Sequence, residues 1–111
     1  MPHIKLYYYC HTKASITQIG WIALGKVTID DIDKYYECIY SFDTEIKEQF
    51  IEEFLEKMFS RFNSEENPLS APEYQKRIRD IKAHTSMNTG DIIQIDDDYY
   101  VVSGWGFTKL N

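Results

Sequence analysis

The last third of the chain, Ala83 to Leu110, constrains the fold more than any other stretch. A polar approach, Thr85 to Thr89, leads to Gly90-Asp91. The apolar run Ile92-Ile93-Gln94-Ile95 follows, Asp96-Asp97-Asp98 reverses the chain, and Tyr99-Tyr100-Val101-Val102 returns. Two β-rich runs around a short polar turn predict a hairpin. Three residues separate the runs, so a bulged or three-residue loop is expected in preference to a two-residue primed turn. An Asp can take the left-handed position such a loop needs. Gly104-Trp105-Gly106-Phe107 closes the stretch, and its glycines read as a bulge or a close backbone approach.

The rest of the chain supplies partners for that hairpin. Ile4 to Cys10 reads as a strand, with Ile4, Leu6, Tyr8 and Cys10 on the core face and Lys5, Tyr7 and Tyr9 on the other. Ser15-Ile16-Thr17-Gln18 fits a capping box and predicts a short helix ended by Gly25. A strand from Gln18 to Leu24 is the alternative. Thr28 to Asp33 predicts one helical turn. Tyr35 to Phe42 is a second strand, with Tyr36, Cys38, Tyr40 and Phe42 sharing a face. A long helix is expected from about Thr44 to Phe62, because Ile46, Phe50, Ile51, Phe54, Leu55, Met58, Phe59 and Phe62 recur at spacings of three and four. Ser64 to Pro72 reads as a loop. Glu73 to Ala83 predicts a shorter helix with Tyr74, Ile78 and Ile81 on its apolar side. The sum is a single α+β domain over 1–111. It is expected to have a mostly antiparallel sheet of about four strands, one long amphipathic helix on one face, and short helices.

Composition narrows the function classes. Hydrophobic residues make up 43% and aromatics 15%, including nine Tyr, which excludes a disordered chain. The net charge of −6 repels nucleic acid overall, so any such contact needs a local basic patch. No secretory signal precedes the first strand and no apolar run reaches membrane-spanning length. The expected setting is the cytoplasm of a host cell, with Cys10 and Cys38 reduced and largely buried. A disulfide is open only if the two lie on neighbouring strands.

Chemistry-bearing patterns are sparse. His3, His11, His84, Cys10 and Cys38 show no zinc-type spacing, and Asp96-Asp97-Asp98 lacks the ligand spacing of a calcium loop. Neither Cys has His and carboxylate at a nucleophile spacing, and no Gly-x-Ser-x-Gly elbow occurs. Gly104-Trp105-Gly106 lacks the third glycine of a dinucleotide loop. No cofactor, no metal and no enzymatic activity are expected.

From the long helix onward the pattern Arg61-Phe62-Asn63, Asn67-Pro68, then His84-Thr85-Ser86-Met87-Asn88-Thr89-Gly90-Asp91-Ile92-Ile93, and Gly104-Trp105-Gly106-Phe107, resembles the YodL-like domains of phages, plasmids and conjugative elements. Tyr36 to Tyr40 fits their Tyr-x-x-x-Tyr strand loosely. The chain departs from them at Asn88-Thr89 and Trp105-Gly106. The resemblance implies a small accessory protein of a mobile element, a setting that includes inhibitors of host defence such as anti-CRISPR proteins.

Three surfaces are candidate partner-binding sites. Glu45, Glu48, Glu52 and Glu56 would lie along one helical face, roughly 5–6 Å apart. That is close to the phosphate repeat of a DNA strand, so the ridge would suit a basic nucleic-acid channel. Its alternative is an ordinary solvated face. Lys76, Arg77, Arg79 and Lys82 form a basic segment suited to phosphate or to an acidic partner. Its alternative is a solvated face balancing the acidic helix. Tyr7, Tyr9 and Trp105 are outward aromatics suited to anchoring a protein partner, unless the N-terminal helix covers them. The first functional reading is a binding protein that inhibits a nuclease or CRISPR effector complex such as Cas9. The second is a regulatory or plasmid-maintenance module that binds nucleic acid through residues 76–82. No membrane partner is expected, and no pattern sets the oligomeric state.

Overall fold

The computed structural model describes residues 1–24, 26–104 and 106–110. Among these, β1 (His3–Tyr9) is followed by α1 (Ile16–Ala23), α2 (Ile29–Tyr35) and β2 (Tyr36–Asp43). Next come α3 (Ile51–Arg61), α4 (Pro72–Ile81), β3 (Ile92–Ile95), β4 (Asp98–Ser103) and β5 (Gly106–Lys109). Short 3₁₀ turns at Glu48–Phe50 and Pro68–Ser70 precede α3 and α4. The strands form one five-stranded antiparallel sheet in the order β2-β1-β3-β4-β5. The class is α+β, with one strand more than the residue pattern predicted.

β1 lies inside the sheet because both of its faces are apolar. Ile4, Leu6 and Tyr8 enter a core shared with Leu55, Met58, Phe62 and Ile78 of the α3/α4 layer. Tyr9, with half-buried Tyr7, enters a second core shared with Ile22 of α1 and Ile32 of α2. Helices therefore cover the sheet on two sides. The ladder between β1 and β2 slips between Leu6 and Tyr7. Tyr36 stays with the α1/α2 core, whereas Ile39, Tyr40 and Phe42 turn to the α3/α4 core. A bulge of this kind breaks the strict two-residue alternation, and this corrects the expected single face of Tyr36 through Phe42.

The long helix is shorter than predicted. Thr44 donates its backbone N–H to Pro2 at 3.1 Å, which prolongs the strand ladder. Residues 44–47 are not helical, and α3 has 11 residues. The apolar spacing read from Ile46 onward is real on α3 but begins one element later. Leu55 and Met58 are buried, Phe54 is half-buried, and Phe50 is 43% exposed.

The hairpin turn has two residues, since Ile95 pairs with Asp98 and Asp96-Asp97 lie between them. Asp96 takes the left-handed conformation at φ 52°. The expected three-residue loop is corrected: Asp98 joins the strand and its charge is matched by Lys109 at 3.5 Å. Beyond it β5 folds back on β4, with Ser103 opposite Gly106. α1 starts at the predicted capping box. Ser15 Oγ accepts from the Gln18 N–H at 3.3 Å, and Gln18 Oε1 accepts from the Ser15 N–H at 2.7 Å. Gly25, expected to stop this helix, lies outside the described residues.

The free edge of β2 is blunted by two cations. Lys13 Nζ donates to the Tyr36 carbonyl at 3.1 Å and Arg77 to the Cys38 carbonyl at 3.2 Å. Glu37 pairs with both, at 2.8 and 3.1 Å. Charge at an unpaired edge discourages strand addition from another chain.

α1 presses on the approach to β3. Gly90 has φ +98°, and a Cβ there would stand 2.5 Å from Ile22 Cγ2 and 2.9 Å from the Ile22 carbonyl oxygen. Gly90→Ala should therefore cost more than about 2 kcal/mol, strain and overpacking combined. Urea denaturation of the variant measures it; a loss under about 1 kcal/mol would show that α1 does not bear on this backbone.

Candidate functional site

The closest gathering of polar side chains centres on Asp91, which is fully buried. Its Oδ2 accepts from the Asn88 N–H at 2.7 Å and stands 2.8 Å from Nε2 of His84. Its Oδ1 accepts from the Tyr9 N–H at 3.4 Å. The His84 ring stacks on Tyr8, with centroids 4.8 Å apart and planes 15° apart, and leans on Tyr9 at 4.9 Å. The backbone of Gly90-Asp91 is tied to Val102 by two 2.8 Å hydrogen bonds, and the Tyr36 hydroxyl donates to the Gly90 carbonyl.

Local chemistry places these groups. Lys82 ends α4 in the left-handed conformation at φ 53°, which throws the chain toward β1. Its carbonyl accepts from the His11 N–H at 3.2 Å. The non-helical run that follows exposes backbone groups that two asparagines satisfy. Asn63 Nδ2 donates to the carbonyls of Phe59 and Met87, at 2.8 and 3.1 Å. Asn67 Nδ2 donates to those of Phe62 and Thr85, at 2.7 and 3.0 Å. So the Phe62-Asn63, Asn67-Pro68 and Thr85-to-Asp91 segments, far apart in sequence, converge on one knot.

Burial pushes the Asp91 carboxyl up to about 6 from 3.8, while His84 and the N–H groups of Asn88 and Tyr9 pull the other way. The folded chain thus holds this proton more tightly than the unfolded chain. The stabilising contribution is complete below about pH 4 and is lost as pH rises through about 6. Urea midpoints should fall across that window more steeply for the wild type than for Asp91→Asn. Parallel profiles would remove Asp91 as the source. Burial also raises the Cys10 thiol to about 11, and its Sγ donates to the Tyr8 and Tyr35 carbonyls at 3.7 and 3.6 Å. A nucleophilic cysteine needs the opposite shift. His84 and Asp91 have the composition of a general-base pair, but here they brace β1, the 83–91 segment and β3 against one another. Sequence reasoning weighed His84 only as a metal ligand and Asp91 only as part of the approach to the hairpin, and missed their pairing. The available signal was an Asp set directly before an apolar strand, where a carboxylate must find partners.

The predicted sites fare differently. Glu45, Glu48, Glu52 and Glu56 are all exposed. Only Glu52 and Glu56 share a face of α3; Glu48 is in the 3₁₀ turn and Glu45 in the extended approach. The single helical ridge is corrected, because the helix begins too late to hold it. In its place is a groove of roughly 570 Å³ with an apolar floor of Ile46, Phe50 and Phe54, rimmed by Glu45, Glu53, Lys47 and Lys57. In the basic segment, Arg77 is engaged by Glu37 and the Cys38 carbonyl, whereas Lys76, Arg79 and Lys82 are exposed. Tyr9 is buried, and Tyr7 is half-buried with its hydroxyl donating to Gln94 at 2.9 Å. Neither is an outward anchor, since α1 and α2 cover that face. Trp105 lies outside the described residues. Exposed apolar side chains that sequence reasoning missed include Ile16 and Trp21 on α1, its cap residue Leu24, Ile29, and Phe59 from the expected buried stripe of the long helix.

Among the described residues, no group of three or more His, Cys, Asp or Glu is placed to hold a metal ion, and no helix is long and apolar enough to cross a membrane. No family model matches the sequence, and no solved structure matches it. An uncharacterized protein of Acanthamoeba polyphaga mimivirus, R785, is 38% identical over 111 residues, covering 100% of this chain and 94% of the viral protein. At that identity over nearly the whole of both sequences, the chain belongs to the same family as this mimivirus protein.

Proposed function

We propose that the chain is a small viral or mobile-element accessory protein that works by binding, without chemistry of its own, in the cytoplasm of the host cell. The observation that carries this reading is the groove at the start of α3, where exposed Phe50 joins Ile46 and Phe54 inside a mixed rim of Glu45, Glu53, Lys47 and Lys57. An apolar floor inside a charged rim is the layout of a protein-binding hot spot. Glu48, Glu52 and Glu56 are exposed on the same part of the chain and add negative charge outside the groove's lining. The partner that suits it is a host protein with a basic, nucleic-acid-handling surface, a defence nuclease foremost. CRISPR effectors belong to bacteria and archaea, and the relative's name points to an amoebal host. The basic nucleic-acid channel is the feature common to defence nucleases of either kind. The mimivirus relative and the YodL-like pattern both support the mobile-element setting.

Photo-crosslinking tests this. The chain carrying p-benzoylphenylalanine in place of Phe50 is irradiated in host-cell extract. A nucleic-acid-processing protein should be captured, capture should fall as duplex DNA is added, and Glu45, Glu48, Glu52 and Glu56 to Gln should weaken it. Rising salt should slow association, because exposed charges are screened over about 10 Å at 0.1 M. Capture that ignores both DNA and the Gln changes would defeat the charge-based reading.

A further inference from the structure

α1 is apolar on both of its faces. Ile19 and Ile22 turn inward to the α1/α2 core. Ile16, Trp21 and the cap residue Leu24 turn outward and are 89%, 51% and 71% exposed. Thr17 is its one exposed polar side chain, and a helix side this apolar is one that is normally covered. Gly20 stands at the middle of the outward face, and a Cβ added there would meet nothing within 4 Å. A mid-helix glycine costs about 1 kcal/mol relative to alanine. No contact inside the molecule asks for it at this position. What it permits is the close approach of another backbone.

We propose that this face joins two copies of the chain, α1 packing antiparallel on α1 about a two-fold axis that passes at Gly20. Symmetry points to a second copy. Ile16 and Leu24 lie four residues to either side of Gly20, on one helical stripe. Rotation about the axis sets Ile16 of each copy on Leu24 of the other, which is the self-complementarity an isologous interface requires. Area agrees. The exposed parts of Ile16, Trp21 and Leu24 amount to on the order of 450 Å² per copy, the apolar centre of the about 800 Å² per partner that a standard interface buries. Charge agrees as well. No Asp or Glu precedes Asp30, so the residues that carry the net −6 lie elsewhere in the chain. Lys26 sits 4.7 Å over the Trp21 ring and holds the indole at the rim. The face is separate from the groove before α3, so either proposal can fail alone.

Sedimentation equilibrium of the full chain through the micromolar range tests it. The wild type should pass from the 13.2 kDa monomer to twice that mass. Gly20→Arg places a side chain at the crossing, and its Cβ meets nothing within 4 Å in the monomer. It should keep or raise the melting temperature of the dilute monomer and weaken association at least about tenfold. Leu24→Glu should do the same, and stands in if Gly20→Arg fails to fold. A wild type that stays monomeric throughout, a species larger than a dimer, or variants that associate as the wild type does would each overturn the proposal. So would a monomer that pellets with phosphatidylserine vesicles, which would assign the face to lipid.

Discussion

Phe62→Ala should destabilise the chain by about 3–5 kcal/mol, the range for truncating a fully buried aromatic. Phe62 is 0% exposed at the end of α3. Its ring meets Tyr40 edge-on with centroids 5.6 Å apart. Its carbonyl accepts from Asn67 and from the Met87 N–H, at 2.7 and 3.3 Å. The cavity would therefore open where α3, β2 and the 83–91 segment meet, and little can collapse into it. A domain of this size is stable by about 5–15 kcal/mol in all, so the variant should be marginal. The control is Phe54→Ala on the same helix. Phe54 is only half-buried and should lose under about 2 kcal/mol. Urea unfolding with an unchanged m-value measures both. Equal losses would mean that the core does not centre on Phe62.

Asp91→Ala should cost about as much for a different reason. The carboxylate meets the N–H groups of Asn88 and Tyr9 and the ring of His84, and no polar side-chain atom buried among the described residues lacks a partner. Removing it strands buried donors, each worth about 1–3 kcal/mol, and the sum should reach about 3–5 kcal/mol. Asp91→Asn keeps one acceptor and should recover part of the loss. His84→Ala takes one hydrogen-bond partner from Asp91, together with the ring contacts to Tyr8 and Tyr9, and should cost less than Asp91→Ala. The reverse order, with His84 the costlier loss, would place the weight of the knot on the ring stack against Tyr8 and Tyr9 and not on the carboxylate.

The two-residue period of IKLYYYC, the apolar run IIQI, the three-and-four spacing on α3, and the Ser15/Gln18 box are local signals. Each is set by neighbours within a turn or a strand, and each element stands near where its pattern put it, except that α3 starts at Ile51 and not at Thr44. What pattern could not supply was long-range. β1 is an interior strand of the sheet, between β2 and β3, with Tyr7 and Tyr9 covered by α1 and α2, and nothing in β1 says which helices will come. The bulge in β2 and the capture of Thr44 by Pro2 cut short periodicities that looked continuous in the sequence. The acidic ridge failed with them, because four glutamates at helical spacing form a ridge only if the chain there is a helix.

Arg77 shows the same limit from the other side. As a sequence position it is one cation among four; in space it is the partner of Glu37 and a cap on the β2 edge. His84 and Asp91, seven residues apart, read as an unremarkable histidine and the polar end of a turn. Only when Tyr8 and Tyr9 close over them does the carboxylate lose its water and become the hub of the 83–91 segment. The sequence by itself determined which segments fold as helices and strands, through side-chain period and capping. The tertiary structure decided which of their side chains are buried, paired or free, because burial and charge pairing depend on neighbours that are distant along the chain.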